Sequence, residues 1–136
     1  MLIIGGANNT GIELSEQEGL ATRDGSEFYR VTLRENEFEA GVKVYAFDPK
    51  DDGLPKFFAA LARDWKGWDR PRTWHSLEGE FEMICEHDGI GHVMTTATIH
   101  SNPCGYGWTG QIRVEIAPGE LEGIAAGVNR FFGRTA

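Results

Sequence analysis

The sequence predicts an α+β domain in which an antiparallel sheet of five to six strands carries two helices packed on one face. Several segments alternate apolar and polar residues with a period of two, and two others space their apolar residues by three and four. Because a helix with one apolar stripe must bury that stripe, both helices are expected on the same side of the sheet. The length of 136 residues fits a single domain over 1–136.

The first part of the chain predicts short strands and a hairpin. An apolar run at 2–4 and an alternating segment at 11–16 predict two short edge strands, separated by a turn rich in glycine and asparagine. Alternation over 29–34 and again over 38–46, with a polar turn between the two segments, predicts a hairpin.

Two helices are predicted from the spacing of apolar residues. The first follows the turn residues 48–53 and ends at Gly67, and the second is opened by 118–120. The first stripe consists of Leu54, Phe57, Phe58, Leu61, Ala62 and Trp65, and the second consists of Leu121, Ile124, Ala125, Val128, Phe131 and Phe132.

Three further strands are predicted between the helices, over 77–86, 92–100 and 108–117. In the first of these, apolar residues from Leu77 onward occupy the odd positions and glutamates occupy most even positions. In the last, Trp108 is expected on the inward side together with the apolar residues that follow it. The pattern is typical of strands with one buried and one solvated face.

The turn between the first two of these strands also predicts their register. Opposed residues share a face, so the inward residues remain aligned when the loop is the three-residue segment 89–91. This register places Met83 opposite Ala97 and Asp88 opposite His92.

The charge balance restricts the partners. The chain has 13 Lys and Arg against 21 Asp and Glu, a formal charge of -8, which disfavours nucleic-acid binding through a basic surface and favours a cationic partner. No apolar run is long enough for a signal peptide or a membrane span, so no membrane partner is expected. Cys85 and Cys104 are too few for a disulfide framework, and the chain is predicted to be cytoplasmic.

The four histidines are the first candidates for a metal site, but they are dispersed. The predicted register places His87 and His92 on opposite faces, and His100 lies at the far end of its strand. We therefore predict no tightly held metal and no cofactor; if a metal were present, His87, His92 and Cys85 would be its first candidate ligands.

Asp88 and His92 could act together as an orienting carboxylate and a base. The sequence shows no nucleophile motif beside them, so no enzymatic activity is predicted. A small-molecule or metal-binding domain, or a hydrolase-like enzyme that uses this pair, remains the alternative.

One locally basic stretch, 65–74, interleaves tryptophans with Lys66, Arg70 and Arg72. Such a pattern can stack and clamp bases. The alternative is that the tryptophans seal a corner of the core while the arginine stems lie over them, and the acidic remainder of the chain favours it.

Carboxylates on alternate positions of one predicted strand form the most unusual feature, because they repel one another. Such a face can be merely solvated, with Arg30, Arg34 or Arg113 offsetting its charge, or it can dock a basic partner. The residues of this predicted acidic face are Glu78, Glu80, Glu82 and Glu86.

Three segments resemble a family of small uncharacterised bacterial proteins, known as a domain of unknown function. They are 68–80 (WDRPRTWHSLEGE), 87–93 (HDGIGHV) and 118–121 (PGEL). The order of elements, from a strand opening at 2–4 to a C-terminal helix, also resembles immunity proteins that protect bacteria from their own contact-delivered, wall-associated toxins. Neither resemblance implies a catalytic residue.

Charge and resemblance together predict a protein-binding module of the immunity kind, which neutralises a basic toxin or nuclease through the acidic sheet face. Carboxylates alone bind weakly, so an aromatic anchor beside them is expected. Trp68 is the first candidate for this anchor, and Tyr45 and Phe47 are the others.

Overall fold

The computed structural model describes residues 1–6, 10–18, 27–46 and 53–132. Within these residues the chain is α+β, as predicted, with four strands and a helix followed by four strands and a second helix. Glycine and proline begin the first helix, and a 3-10 turn over 118–120 leads into the second. The elements are β1 (Leu2–Ile4), β2 (Gly11–Glu18), β3 (Glu27–Glu35), β4 (Phe38–Ala46), α1 (Leu54–Arg63), β5 (Arg72–His75), β6 (Phe81–His87), β7 (Val93–His100), β8 (Thr109–Ile116) and α2 (Leu121–Phe131).

The strands form two antiparallel sheets of four, and the prediction of one five-to-six-stranded sheet is wrong. The first sheet has the order β1-β2-β3-β4, and the second has the order β5-β6-β7-β8. Alternation shows which side of a strand is buried, but two stacked sheets and one wide sheet bury the same sides. The strand β5 was also missed, because its sequence RTWH has no apolar run.

The inner faces of both sheets and the apolar sides of both helices share one buried cluster. The helices lie on this inner side, rather than on one face of one sheet as predicted. Tyr29 on β3 packs edge-on against Phe132 of the segment ending α2, with ring centroids 5.2 Å apart. At the other sheet, Arg72 of β5 lies 2.9 Å from Asp64 at the end of α1. The helices therefore leave the outer faces of the two sheets uncovered.

The predicted hairpin register is confirmed. Met83 pairs with Ala97, and the Asp88 amide donates to the His92 carbonyl at 3.1 Å. The loop 89–91 contains two glycines with positive φ, at 80° and 111°, which this connection requires.

Three residues predicted for the apolar sides of elements lie outside those elements and are exposed. The strand β6 begins at Phe81, so Leu77 lies outside it and is 60 % exposed. The helix α1 ends at Arg63, and Trp65 beyond it is 49 % exposed. Trp108 precedes β8 and is 45 % exposed, instead of buried with the inward residues.

The sealed-corner interpretation of 65–74 holds for two of its tryptophans. Trp74 is half-buried against Phe81, with ring centroids 5.5 Å apart, and Trp68 is half-buried beneath Arg72. Trp65 does not take part, because it lies exposed beside Lys66.

Glu80 is not a member of an exposed acidic face, which corrects the prediction. It lies in the turn before β6, is 8 % exposed, and accepts a hydrogen bond from the Tyr45 amide at 2.9 Å. It also accepts a bond from the Ser76 hydroxyl at 2.8 Å, and the Ser76 oxygen in turn accepts the Phe81 amide at 3.1 Å. The carboxylate therefore joins the edge of the first sheet to the turn that begins the second.

Replacing Glu80 by alanine is expected to lower the free energy of unfolding by about 2 kcal/mol, because it leaves the Tyr45 amide and the Ser76 hydroxyl without their acceptor. Urea denaturation measures this change. Glu78→Ala, in the same turn but exposed, serves as the control and is expected to leave stability nearly unchanged. Equal stability of the two variants would contradict the structural role of Glu80.

Candidate interaction surface

The outer face of the second sheet is an open, polar surface. Its side chains alternate along β6, β7 and β8 with those buried in the core, and the cross-strand register aligns them in rows. We define the outer face by Glu82, Ile84, Glu86, Met94, Thr96, Thr98, His100, Gln111, Arg113 and Glu115.

Carboxylates outnumber arginine on this face by three to one. Glu82, Glu86 and Glu115 are exposed on it, Glu78 lies in the turn at one end, and Asp88 lies in the hairpin at the other. Two of the glutamates predicted for the acidic face, Glu82 and Glu86, are therefore on the outer face of the second sheet, and Glu78 flanks it.

The arginines considered as offsets do not pair with these carboxylates within the described part of the chain. Arg113 is exposed on the outer face and forms no ion pair with a described residue. Arg34 lies on the first sheet, where it contacts Glu13 at 2.6 Å and Glu39 at 3.2 Å, and Arg30 is exposed on that same sheet. Of these three arginines, only Arg113 therefore lies on the outer face, together with three glutamates.

Two histidines lie beside these carboxylates. His100 Nε2 lies 3.0 Å from Glu82 Oε2, and its Nδ1 lies 3.1 Å from Thr109 Oγ1. His92 Nδ1 lies 2.6 Å from Asp88 Oδ2, and its Nε2 lies 3.5 Å from Glu115 Oε1. Both histidines are therefore oriented by neighbours on two sides.

Asp88 organises the hairpin end. Its carboxylate accepts the amides of Ile90 at 2.8 Å and His92 at 3.0 Å. The Ile90 bond is the main cause that lowers the pKa of Asp88 to about 2, and the His92 bonds add to it. The hydrogen bond and charge of Asp88, followed by the charge of Glu115, raise the pKa of His92.

The predicted aromatic anchors lie elsewhere. Trp68 is on the inner side of the second sheet, where its indole Nε1 donates to the Cys85 carbonyl at 3.1 Å and its ring contacts His87. Tyr45 belongs to the first sheet and packs against Phe28. Phe47 falls outside the described residues.

Two aromatic residues that were not among the predicted anchors lie at one end of the outer face instead: Tyr106, and Trp108, which was expected on the inward side. The loop 101–108 presents Tyr106, 96 % exposed, and Trp108, 45 % exposed. The glycines that flank Tyr106 were the available signal, because they favour a protruding loop over a continued strand. The loop and the turn 76–80 border a recess of about 260 Å³, lined in part by Glu78, Glu82, His100 and Trp108.

The structure also shows how the candidate metal ligands, the Cys85 thiol and the helices are arranged. Within the described ranges, no three His, Cys, Asp or Glu side chains come together as a metal site. Burial raises the pKa of the Cys85 thiol to about 11, so this thiol is not a reactive thiolate. No helix among the described residues is long and apolar enough to cross a bilayer.

The His92 pair predicts a measurable titration. We expect the pKa of His92 to lie above its ordinary value of 6.5, and Asp88→Asn to lower it while keeping an acceptor for the two amides. Two-dimensional NMR of the imidazole carbons measures both pKa values.

The same pairing makes stability depend on pH. Since the folded chain favours the charged His92 ring, the contribution of this pair to stability is full below pH 6.5 and is lost as the pH rises through the raised pKa. A His92 pKa at or below 6.5 in the unaltered chain would contradict the pairing.

Comparison with known proteins identifies the family of this chain. None of the curated proteins matches the chain in sequence. Among solved structures, the plant transcriptional regulator PBF-2 is similar, with a TM-score of 0.44 and 9 % identity, over 97 % of this chain and 81 % of that one. The resemblance of the sequence to a family of unknown function is confirmed, whereas no comparison tests the likeness to immunity proteins. The family of unknown function DUF6228 matches residues 3–135, and the chain therefore belongs to that family.

Proposed function

We propose that the chain is a protein-binding module of the immunity kind, which binds a basic protein such as a toxin or nuclease through the outer face of the second sheet. The observation that carries the proposal is that exposed Glu82, Glu86 and Glu115 share one face uncovered by helices. In a chain of net charge -8, such a face would steer a cationic protein and bind it in a salt-dependent way.

The centre of this face supports protein binding rather than simple solvation. Ile84 is 38 % exposed, and Met94 is half-buried on the neighbouring strand. Glu82 and Glu86 flank Ile84 along β6, and Thr73 and Thr96 oppose it across the sheet, so polar and charged residues border the apolar surface. Protein interfaces commonly have such an apolar centre and a polar rim.

The ion pairs of Arg34 also favour partner binding over a surface whose charges are balanced within the chain. Arg34 is engaged by Glu13 and Glu39 on the first sheet, and so it is not available to the carboxylates of the second. Three glutamates on one face repel one another in the free chain, and a cationic partner would relieve that repulsion.

The proposal assigns no catalytic role to Asp88 and His92, and it includes no metal or cofactor. Their side chains are 36 % and 51 % exposed, so water reaches both, and each imidazole nitrogen faces a carboxylate. A base needs a free nitrogen beside a bound substrate, which this arrangement does not favour. A hydrolase or small-molecule site at this pair is the weaker alternative.

The proposal also includes a cytoplasmic location and no nucleic-acid or membrane partner. The two cysteines are unpaired, as is usual in a reducing compartment. The acidic charge disfavours a phosphate backbone.

The experiment combines Glu82→Lys with Glu86→Lys. The unaltered chain is used to capture partners from the source cells, and a captured basic protein is purified and titrated by calorimetry. We expect the double variant to raise the Kd about tenfold or more, because two attractive contacts become repulsive. We also expect the affinity of the unaltered chain to fall as salt rises.

The matched control is Glu37→Lys with Asp69→Lys, which changes the net charge equally at exposed residues outside the outer face. The proposal predicts a much smaller effect for this control. Equal weakening by both double variants, or tight binding by the Glu82 and Glu86 variant at low salt, would show that the face is not the interface.

A further inference from the structure

We infer that the recess at the loop end of the outer face receives an arginine side chain of the partner. This inference rests on the proposed function and names the chemistry by which the same surface recognises its partner. Its grounds are the shape of the recess, the orientation of the carboxylates and the aromatic residues of the bordering loop.

The recess is bordered by two turns that lie close together. Gly79 lies in the turn before β6 with a positive φ of 84°, and a Cβ built there would lie 3.7 Å from Pro103 in the loop 101–108. The space between the turns is about 260 Å³. This volume suits a long side chain better than a bare metal ion, which would need several ligands within bonding distance.

The bordering loop is held in place by its own hydrogen bonds. The Ser101 amide donates to the Trp108 carbonyl at 3.0 Å, and the Trp108 amide donates to the Ser101 hydroxyl at 2.8 Å. A Cβ at Gly107 would collide with the Ser101 hydroxyl, so glycine is needed for this closure. The recess is therefore formed before any partner binds, which reduces the entropic cost of binding.

The acceptors in the recess are oriented and available. His100 holds Oε2 of Glu82 at 3.0 Å, and Oε1 of Glu82 has no hydrogen bond to a described residue. Glu78 is exposed across the recess and forms no ion pair within the described ranges. A guanidinium has donors on several edges and can serve both carboxylates at once.

The aromatic residues favour arginine over lysine. Trp108 lines the recess, and Tyr106 is almost fully exposed in the same loop. A planar guanidinium stacks on aromatic rings while it donates in its own plane, whereas an ammonium is a compact and strongly hydrated charge. Aromatic and charged anchors that act together are typical of binding hot spots.

The test compares hexa-arginine with hexa-lysine by NMR titration of the labelled, full chain at one ionic strength. The unaltered chain is expected to bind hexa-arginine about three- to fivefold more tightly than hexa-lysine. Glu78→Gln is expected to remove most of that preference. Trp108→Leu is expected to do the same, provided that its amide spectrum shows an intact fold.

Glu86→Gln is the control, because it removes the same charge from the outer face but not from the recess. It should weaken both peptides slightly and leave the preference for arginine unchanged. If Glu78→Gln and Glu86→Gln weaken the binding of both peptides equally, the recess is not an arginine site, although binding through the outer face still stands. If neither variant changes the binding of either peptide, the inference and the proposed function both fail.

Discussion

A buried carboxylate connects the two sheets. Glu80 accepts the Tyr45 amide at the open edge of the first sheet and the Ser76 hydroxyl in the turn that begins the second. An edge amide of this kind would otherwise need water or another strand as its acceptor. Because the bond joins β4 to the turn before β6, it helps to hold the inner faces of the sheets together over one core. The outer face of the second sheet then remains turned to solvent.

The acidic residues consequently have two different roles in a short stretch of sequence. Glu80 stabilises the fold because it is buried and fully engaged, whereas Glu78 and Glu82 on either side of it are exposed. Histidines orient Glu82 and Asp88, and Arg113 lies on the same outer face as Glu82. The proposed partner would add positive charge beside the glutamates, and the loop with Tyr106 and Trp108 supplies aromatic surface beside it.

Local patterns predicted much of the fold. The odd-length loop 89–91 was sufficient to pair Met83 with Ala97, since a shift of one residue would have turned apolar side chains to water. The division into two sheets could not be predicted, because sheet packing depends on contacts between residues far apart in the sequence. Glu80 and Glu82 are two residues apart, so the alternation of side chains along a strand predicted both on the same face. Glu80 instead lies in the turn ahead of Phe81 and accepts the Tyr45 amide of the other sheet, a contact that alternation within one strand does not predict.

The most direct test of binding through the outer face is to observe the side-chain carboxyl carbons by ¹³C NMR while a short mixed lysine and arginine peptide is added. We predict shifts at Glu82, Glu86 and Glu115 that saturate together and disappear at high salt, with no change at Glu80 or at Glu37. Shifts spread evenly over all exposed carboxylates, or centred away from the outer face of the second sheet, would contradict it.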